Sequence, residues 1–397
     1  MPPTGPKPVP DPRPSRRTVL GAVAATAAAG TVPLLTATAA QAHPRNELFY
    51  VGSWNGAQLT AAWFDAAHGT VTAIGTVADV VSNWSTAHPE RPILYVAGGE
   101  DGGIVRTFAV DRATGALTAA GVVHTDAGGT AGGGLSCLGV DQPSNTLLVA
   151  NFEAGLAAAL PIAADGTLGP TPSVVADSGS GPNPRQLGPH VHDVTVDPSG
   201  RFALVADFGA DRVFVRRFDR TTRTLSAEGV PGPGQYATAP GSGPRRVLFH
   251  PGGRTAYLLT ELTAELQTLH WDARTALLTQ RQTLSIDPSD FTGTRSGAEL
   301  ALSGDGRFLY ASSRGTNTLS VYSTAPGTGL LSLVQRVPCG GVKPWSFTIH
   351  PGGRWLLVAN ETSSTVNLFA VDPRTGRLTD TGTALSVPNP DCITFCS

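Results

Sequence analysis

Positive charge is in no surplus: the 397 residues hold 28 Lys+Arg against 30 Asp+Glu, a formal net charge of −2. Without a basic patch the chain lacks the electrostatic footprint that nucleic-acid binding requires, so DNA packing and RNA coating are excluded as roles. Charge of either sign is sparse, at 15% of residues, while Gly (47) and Pro (32) are abundant. Those two residues break helices and supply the backbone angles of tight turns, so long helical bundles are excluded and a turn-rich chain is indicated. There are four cysteines, Cys137, Cys339, Cys392 and Cys396. None has the spacing of a zinc site. Cys392 and Cys396 fall in one extended segment, which puts their Cα atoms about 13 Å apart, beyond disulfide reach.

Apart from the N-terminus, no stretch is long and apolar enough to span a bilayer. The N-terminus itself reads as Ser15-Arg16-Arg17-Thr18-Val19-Leu20, then an Ala/Val/Leu segment ending Ala40-Gln41-Ala42. Paired arginines before a mildly apolar core and an A-x-A cleavage pattern resemble a twin-arginine export signal. Residues 1–42 are therefore expected to be that signal, and residues 43–397 the mature domain, exported to the periplasm or beyond. Cleavage removes Lys7, Arg13, Arg16 and Arg17 with one acid, Asp11, so the mature chain carries −5. No stable membrane insertion is expected after it.

A turn recurs through that domain: His43-Pro44, His88-Pro89, Asp141-Gln142-Pro143, Asp197-Pro198-Ser199-Gly200-Arg201, His250-Pro251-Gly252-Gly253-Arg254, Ser303-Gly304-Asp305-Gly306-Arg307 and His350-Pro351-Gly352-Gly353-Arg354. The spacings are 45, 53, 56, 53, 53 and 47 residues, the length of a four-stranded propeller blade. A short apolar strand follows each turn, and another precedes every turn but the first. The first unit lacks a preceding strand, and Asp391–Cys396 supplies the missing copy from the far end. The pattern predicts an all-β fold, a seven-bladed propeller of four-stranded blades closed by the C-terminal strand, which leaves no free sheet edge in the ring. The signature dipeptides of tryptophan-aspartate repeats are absent.

Equivalent positions of the units fall at equivalent places around the ring. Five residues before each turn stand Asn83, Ser136, His192, Arg245, Ala298, Trp345 and, in the closing strand, Asp391. At the end of the following strand stand Trp54, Gly99, Phe152, Phe208, Glu261, Arg314 and Glu361. Antiparallel pairing brings both sets to one mouth of the channel. Charge is concentrated in one arc, where Arg245 and Glu261 lie on neighbouring strands and can pair. Such a cluster can be a purely structural ion network. It also contains the parts that open a lactone, a base to activate water and cations to hold an oxyanion. His88, His250 and His350 lie at the repeated turn and are expected to stabilise it.

Pro189-His190-Val191-His192-Asp193-Val194, Gly243-Pro244-Arg245-Arg246-Val247-Leu248-Phe249-His250-Pro251, Tyr257 through Glu261-Leu262, and Asp305 through Arg314-Gly315 resemble the propeller lactonase family. That family includes propeller-type 6-phosphogluconolactonases and fungal carboxymuconate cycloisomerases. The resemblance spans essentially the whole mature chain. It implies a catalytic set of His192, Arg245, Glu261 and Arg314, with Glu261 or His192 as general base. His190, Arg246, Glu361 and Asp391 are expected to contact substrate. Neither a metal nor another cofactor is expected, and the protein is expected to act as a monomer on a small-molecule lactone. Arg246 and Thr260 stand where the family often has His and Asn, departures that bear on substrate choice. A lactonising cycloisomerase and a non-catalytic secreted binding propeller are the alternatives.

Overall fold

What makes the recurring turn work is one hydrogen-bond acceptor at its first residue. His250 Nδ1 accepts from Gly252 N (2.9 Å), His350 Nδ1 from Gly352 N (3.0 Å) and His88 Nδ1 from Glu90 N and Arg91 N (both 3.1 Å). Asp197 does the same through its carboxylate, taking Arg201 N (3.0 Å) and Phe202 N (2.9 Å). Imidazole and carboxylate therefore interchange at this position because either satisfies a backbone N–H that the turn leaves unpaired.

The computed structural model describes residues 46–99, 103–125, 134–170 and 172–396; the expected export signal, 1–42, lies outside them. The described chain forms seven antiparallel sheets, numbered here as blades one to seven in chain order. In each blade the strand after the turn is buried along nearly its whole length rather than at alternate residues; Phe202–Asp207 in blade four and Thr255–Thr260 in blade five are buried at every residue. Blades stack face to face, so both faces of that strand are covered. The outermost strands are wetted, as at Thr70–Ala78 in blade one.

The core is divided among the interfaces. Among the described residues seven apolar clusters occur, one between each pair of neighbouring blades, such as Phe202, Leu204, Val247 and Trp271 between blades four and five. Four interfaces add the same clamp. Tyr50, Tyr95, Tyr257 and Tyr310 donate their hydroxyls to the carbonyls of Gly115, Gly166, Gly329 and Gly376 in the next blade, at 2.7–3.0 Å. Each of these glycines has a positive φ, between 69° and 91°, in the outer hairpin turn, a conformation that favours glycine.

Closure follows the expected route. Cys392–Cys396 pairs antiparallel with Glu47–Ser53, with Phe395 opposite Phe49 and Ile393 opposite Val51. It is the inner strand of blade one. All four cysteines are free and buried. One detail departs from the four-strand expectation. The outer edge of blade four is made of two pieces, Thr224–Ser226 and Gln235–Ala237, which pair with opposite ends of Arg212–Asp219. The intervening Ala227–Gly234 contains Pro231 and Pro233, which cannot donate to a ladder.

Candidate active site

In blades three, four, five and seven, the residue five before the turn occupies a β-bulge. In blade four Val191 pairs with Asp207 and Asp193 with Ala206, so His192 is an extra residue in the ladder. Ser136, Arg245 and Trp345 occupy the same irregularity in blades three, five and seven. A regular strand would send consecutive side chains to opposite faces. The bulge re-aims one of them, so that Arg245 and Arg246, adjacent in sequence, both reach the channel at different depths.

The upper level is a cavity of about 730 Å³, its open mouth included, lined by His192, Arg245, Glu261 and Arg314 together with Trp54, Trp84, Trp345, Phe152, Glu153 and Arg185. The four residues of the expected catalytic set are thus brought together. Glu261 is their hub. Its Oε2 accepts from Arg245 Nε (3.0 Å) and Arg314 Nη2 (2.8 Å), and its Oε1 meets Arg185 Nη1 (2.7 Å). Burial alone would raise the carboxyl, but Arg314, Arg245 and Arg185 outweigh it and hold Glu261 well below the usual carboxylate range. Burial, then Arg314, brings Arg245 down to about 10, still cationic at neutral pH.

Both inner arginines are wired to backbone. Arg245 Nη1 donates to the Ala298 carbonyl (2.6 Å). Arg314 donates from Nη2 to the Gly297 carbonyl (3.3 Å) and from Nε to Ser296 Oγ (3.0 Å), and lies 4.5 Å over the Trp345 ring. His192 is different in kind. Burial first, and Arg245 second, push its imidazole well below the ordinary histidine value, so it is neutral at pH 7. Its Nδ1 is buried and has no hydrogen-bond partner among the described residues, so no carboxylate orients it as in a serine-hydrolase triad. The strand is held instead by Ser136 Oγ, which donates to the carbonyls of Val191 and His192, both at 3.0 Å.

The other four expected contacts lie outside the lining of this cavity. His190 is stacked on Phe152 (4.5 Å, 16°) with Nδ1 2.9 Å from the Phe152 carbonyl, behind the wall, because the bulge breaks the alternation that would put it beside His192. Arg246 is one level deeper, donating from Nε to Glu299 Oε1 (2.8 Å) and from Nη1 to Asp193 Oδ1 (2.9 Å), with Trp84 4.8 Å beneath its guanidinium. Glu361 is engaged by Lys343 Nζ (3.1 Å) and Asn55 Nδ2 (3.1 Å). Asp391 accepts from Trp54 N (2.7 Å), and burial pushes its carboxyl up to about 8.

The family described as lactonase, 7-bladed β-propeller, matches residues 48–395. This chain belongs to that family. The lactonase-family propeller is 32% identical over 305 residues to the 6-phosphogluconolactonase of Bacillus subtilis, covering 76% of this chain and 84% of that protein. It is 29% identical over 335 residues to the 6-phosphogluconolactonase of Pectobacterium carotovorum, covering 84% and 93%. Among solved structures, the periplasmic gluconolactonase of Pseudomonas aeruginosa superposes with a TM-score of 0.81 at 31% identity, covering 88% of this chain and 99% of that one.

Residues of this lactonase-family site that sequence reasoning passed over fall into two kinds. Trp54 and Trp345 stand at aligned ring positions but carry no charge, the property that marks out the arc in the sequence. Arg185 belongs to no repeat position. It lies in the connection between Ser173–Ala176 and Val191–Val196, and nothing in the spacing marks it.

Proposed function

We propose that this propeller hydrolyses a sugar lactone, with His192 as general base and Arg245 and Arg314 as oxyanion donors. The observation that carries the reading is a neutral imidazole lining the same cavity as an arginine–glutamate–arginine set fixed by backbone. Glu261, ionised and saturated by arginine, is a poor proton acceptor; its role is to hold the guanidinium groups in place. His192 takes a proton from water as the oxygen adds to the lactone carbonyl. The carbonyl oxygen becomes an oxyanion facing the guanidinium N–H groups that Glu261 and the backbone leave free. Collapse breaks the ring C–O bond, and the leaving alkoxide recovers the proton from His192, giving the open hydroxy acid. Trp54, Trp84 and Trp345 add apolar surface to the lining, against which the C–H face of a sugar ring can rest. The names of the relatives support the same chemistry and differ by a phosphate.

Mixing the protein with glucono-1,5-lactone and with its 6-phosphate, and following acid release above the spontaneous rate, tests this. Accelerated opening of at least one is expected. No acceleration of any sugar lactone would sink the reading.

The site belongs, in this proposal, to a protein exported by the twin-arginine route and cleaved after Ala42. The Arg16-Arg17 pair supports it, as does likeness to a structure named periplasmic. Among the described residues no helix is long and apolar enough to cross a membrane. Edman sequencing of protein recovered outside the cytoplasm is expected to begin at His43, and an Arg16→Lys, Arg17→Lys double variant to stay inside. Export of that variant at the parental level would argue against this route.

A further inference from the structure

Three arginines converge on Glu261, and they are not equivalent. The side chains of Arg245 and Arg314 are 3% and 8% exposed and are tied to backbone carbonyls or Ser296. That of Arg185 is 57% exposed; among the described residues its guanidinium meets only Glu261 Oε1 and the ring of Phe208, 4.7 Å away. Its backbone, by contrast, is fixed. Gln186 is fully buried and donates from Nε2 to the Phe208 carbonyl and to Asp211 Oδ1, both at 2.7 Å, while its Oε1 accepts from Asn183 N (3.2 Å). Asn183 Oδ1 in turn accepts from Arg185 N (3.0 Å). A little further along, Gly209 runs so close to the same connection that a Cβ there would collide with the Gly188 carbonyl. A largely exposed guanidinium, engaged by one carboxylate oxygen and one ring, is thus mounted on an anchored loop at the lip of the cavity.

Its bond to Glu261 is replaceable. With one partner this exposed the ion pair is weakened by solvent, and Glu261 keeps two buried arginines on Oε2 if Arg185 departs. An anion inside the cavity offers a charge-assisted bond in a less wetted place. We propose that Arg185 is the residue that selects lactones carrying an anionic substituent away from the carbonyl, a phosphate ester or a carboxylate, by moving from Glu261 Oε1 to that group. This rests on the lactonase reading above. It gives the third arginine a task separate from the oxyanion and makes it the specificity-determining residue of the site.

The test compares wild type, Arg185→Ala and Arg185→Lys on glucono-1,5-lactone, its 6-phosphate, and a glucarolactone whose C6 is a carboxylate. The quantity read is kcat/KM for each anionic lactone divided by that for the neutral one, in which any general loss of folded protein cancels. Arg185→Ala is expected to lower the ratio about tenfold or more for the anion that is recognised, chiefly through KM, with Arg185→Lys restoring part of it. The phosphate and carboxylate arms identify which anion is read. Unchanged ratios for both, or an equal fall in kcat on all three substrates, would overturn the proposal. Should wild type open none of these lactones, the hydrolase reading fails by itself. Arg185 is then judged by calorimetric binding of 6-phosphogluconate and glucarate to wild type and Arg185→Ala: tenfold weaker binding of either to the variant upholds its anion-selecting role, and equal affinity removes it.

Discussion

Replacing His192 by alanine is expected to lower lactone turnover by about 10² or more, the contribution typical of a positioned general base. Because burial and Arg245 hold the imidazole below its ordinary value, the base stays unprotonated at pH 6.5. The acid limb of wild-type kcat/KM should therefore fall below pH 6.5. Arg314→Ala removes an oxyanion donor and is expected to lose a similar factor. Glu261→Gln is expected to lose as much by another route, since it leaves Arg185, Arg245 and Arg314 facing one another without their carboxylate. Breaking a buried pair destabilises by roughly 3–5 kcal/mol, so thermal melts must accompany the kinetics. Ser136 is a poor control, since its hydroxyl holds the His192 backbone. His68, on the outer hairpin of blade one with a side chain 69% exposed, is a suitable one. A folded His192→Ala, Glu261→Gln double variant that keeps the parental rate would place the chemistry elsewhere.

The second large effect is on folding. Deleting Asp391–Ser397 removes the inner strand of blade one, and with it the ladder to Glu47–Ser53. Cys392, Ile393 and Cys396 are buried, and the Phe395 ring contacts those of Phe49 (5.5 Å), Phe64 (5.8 Å) and His350 (5.1 Å). At roughly 1.5–3 kcal/mol for each large apolar side chain, the loss is several kcal/mol before the opened edge is considered. A fall in Tm of about 10 °C or more is expected, or no cooperative transition at all. Trp54, whose N–H is held by Asp391, would lose its anchor at the cavity lip as well. Equal melting temperatures for the truncated and complete chains would refute the closure.

Most of the architecture was legible because a repeat makes each blade a check on the others. The six turns from His88 to His350, the buried second strand of every blade, and the orphan strand at Cys392–Cys396 all follow from spacing; the first turn, His43-Pro44, lies outside the described residues. So does the meeting of His192, Arg245, Glu261 and Arg314, since equivalent positions in a ring share a level. The bulges were not legible. Whether His192 or His190 faces the cavity depends on one extra residue in the ladder with Asp207 and Ala206, and register is set by the partner strand. Arg246 was misleading for the same reason: next to Arg245 in sequence, it belongs one level down with Asp193 and Glu299. Arg185 escaped because a residue outside the repeat has no counterpart with which to be aligned.

The sealing strand also sets a clock. Its first residue, Cys392, is synthesised 345 residues after Glu47, the first residue of the strand it pairs with. At roughly 5–20 residues per second, blade one waits about 20–70 s for its inner strand, with its edge open while the other six blades emerge. A twin-arginine signal would leave the ribosome before any of this, and that route carries folded proteins. Recognition of the signal and readiness of the cargo are then separated by most of the time needed to make the protein, and an early-docking chain would present the membrane machinery with an unsealed ring.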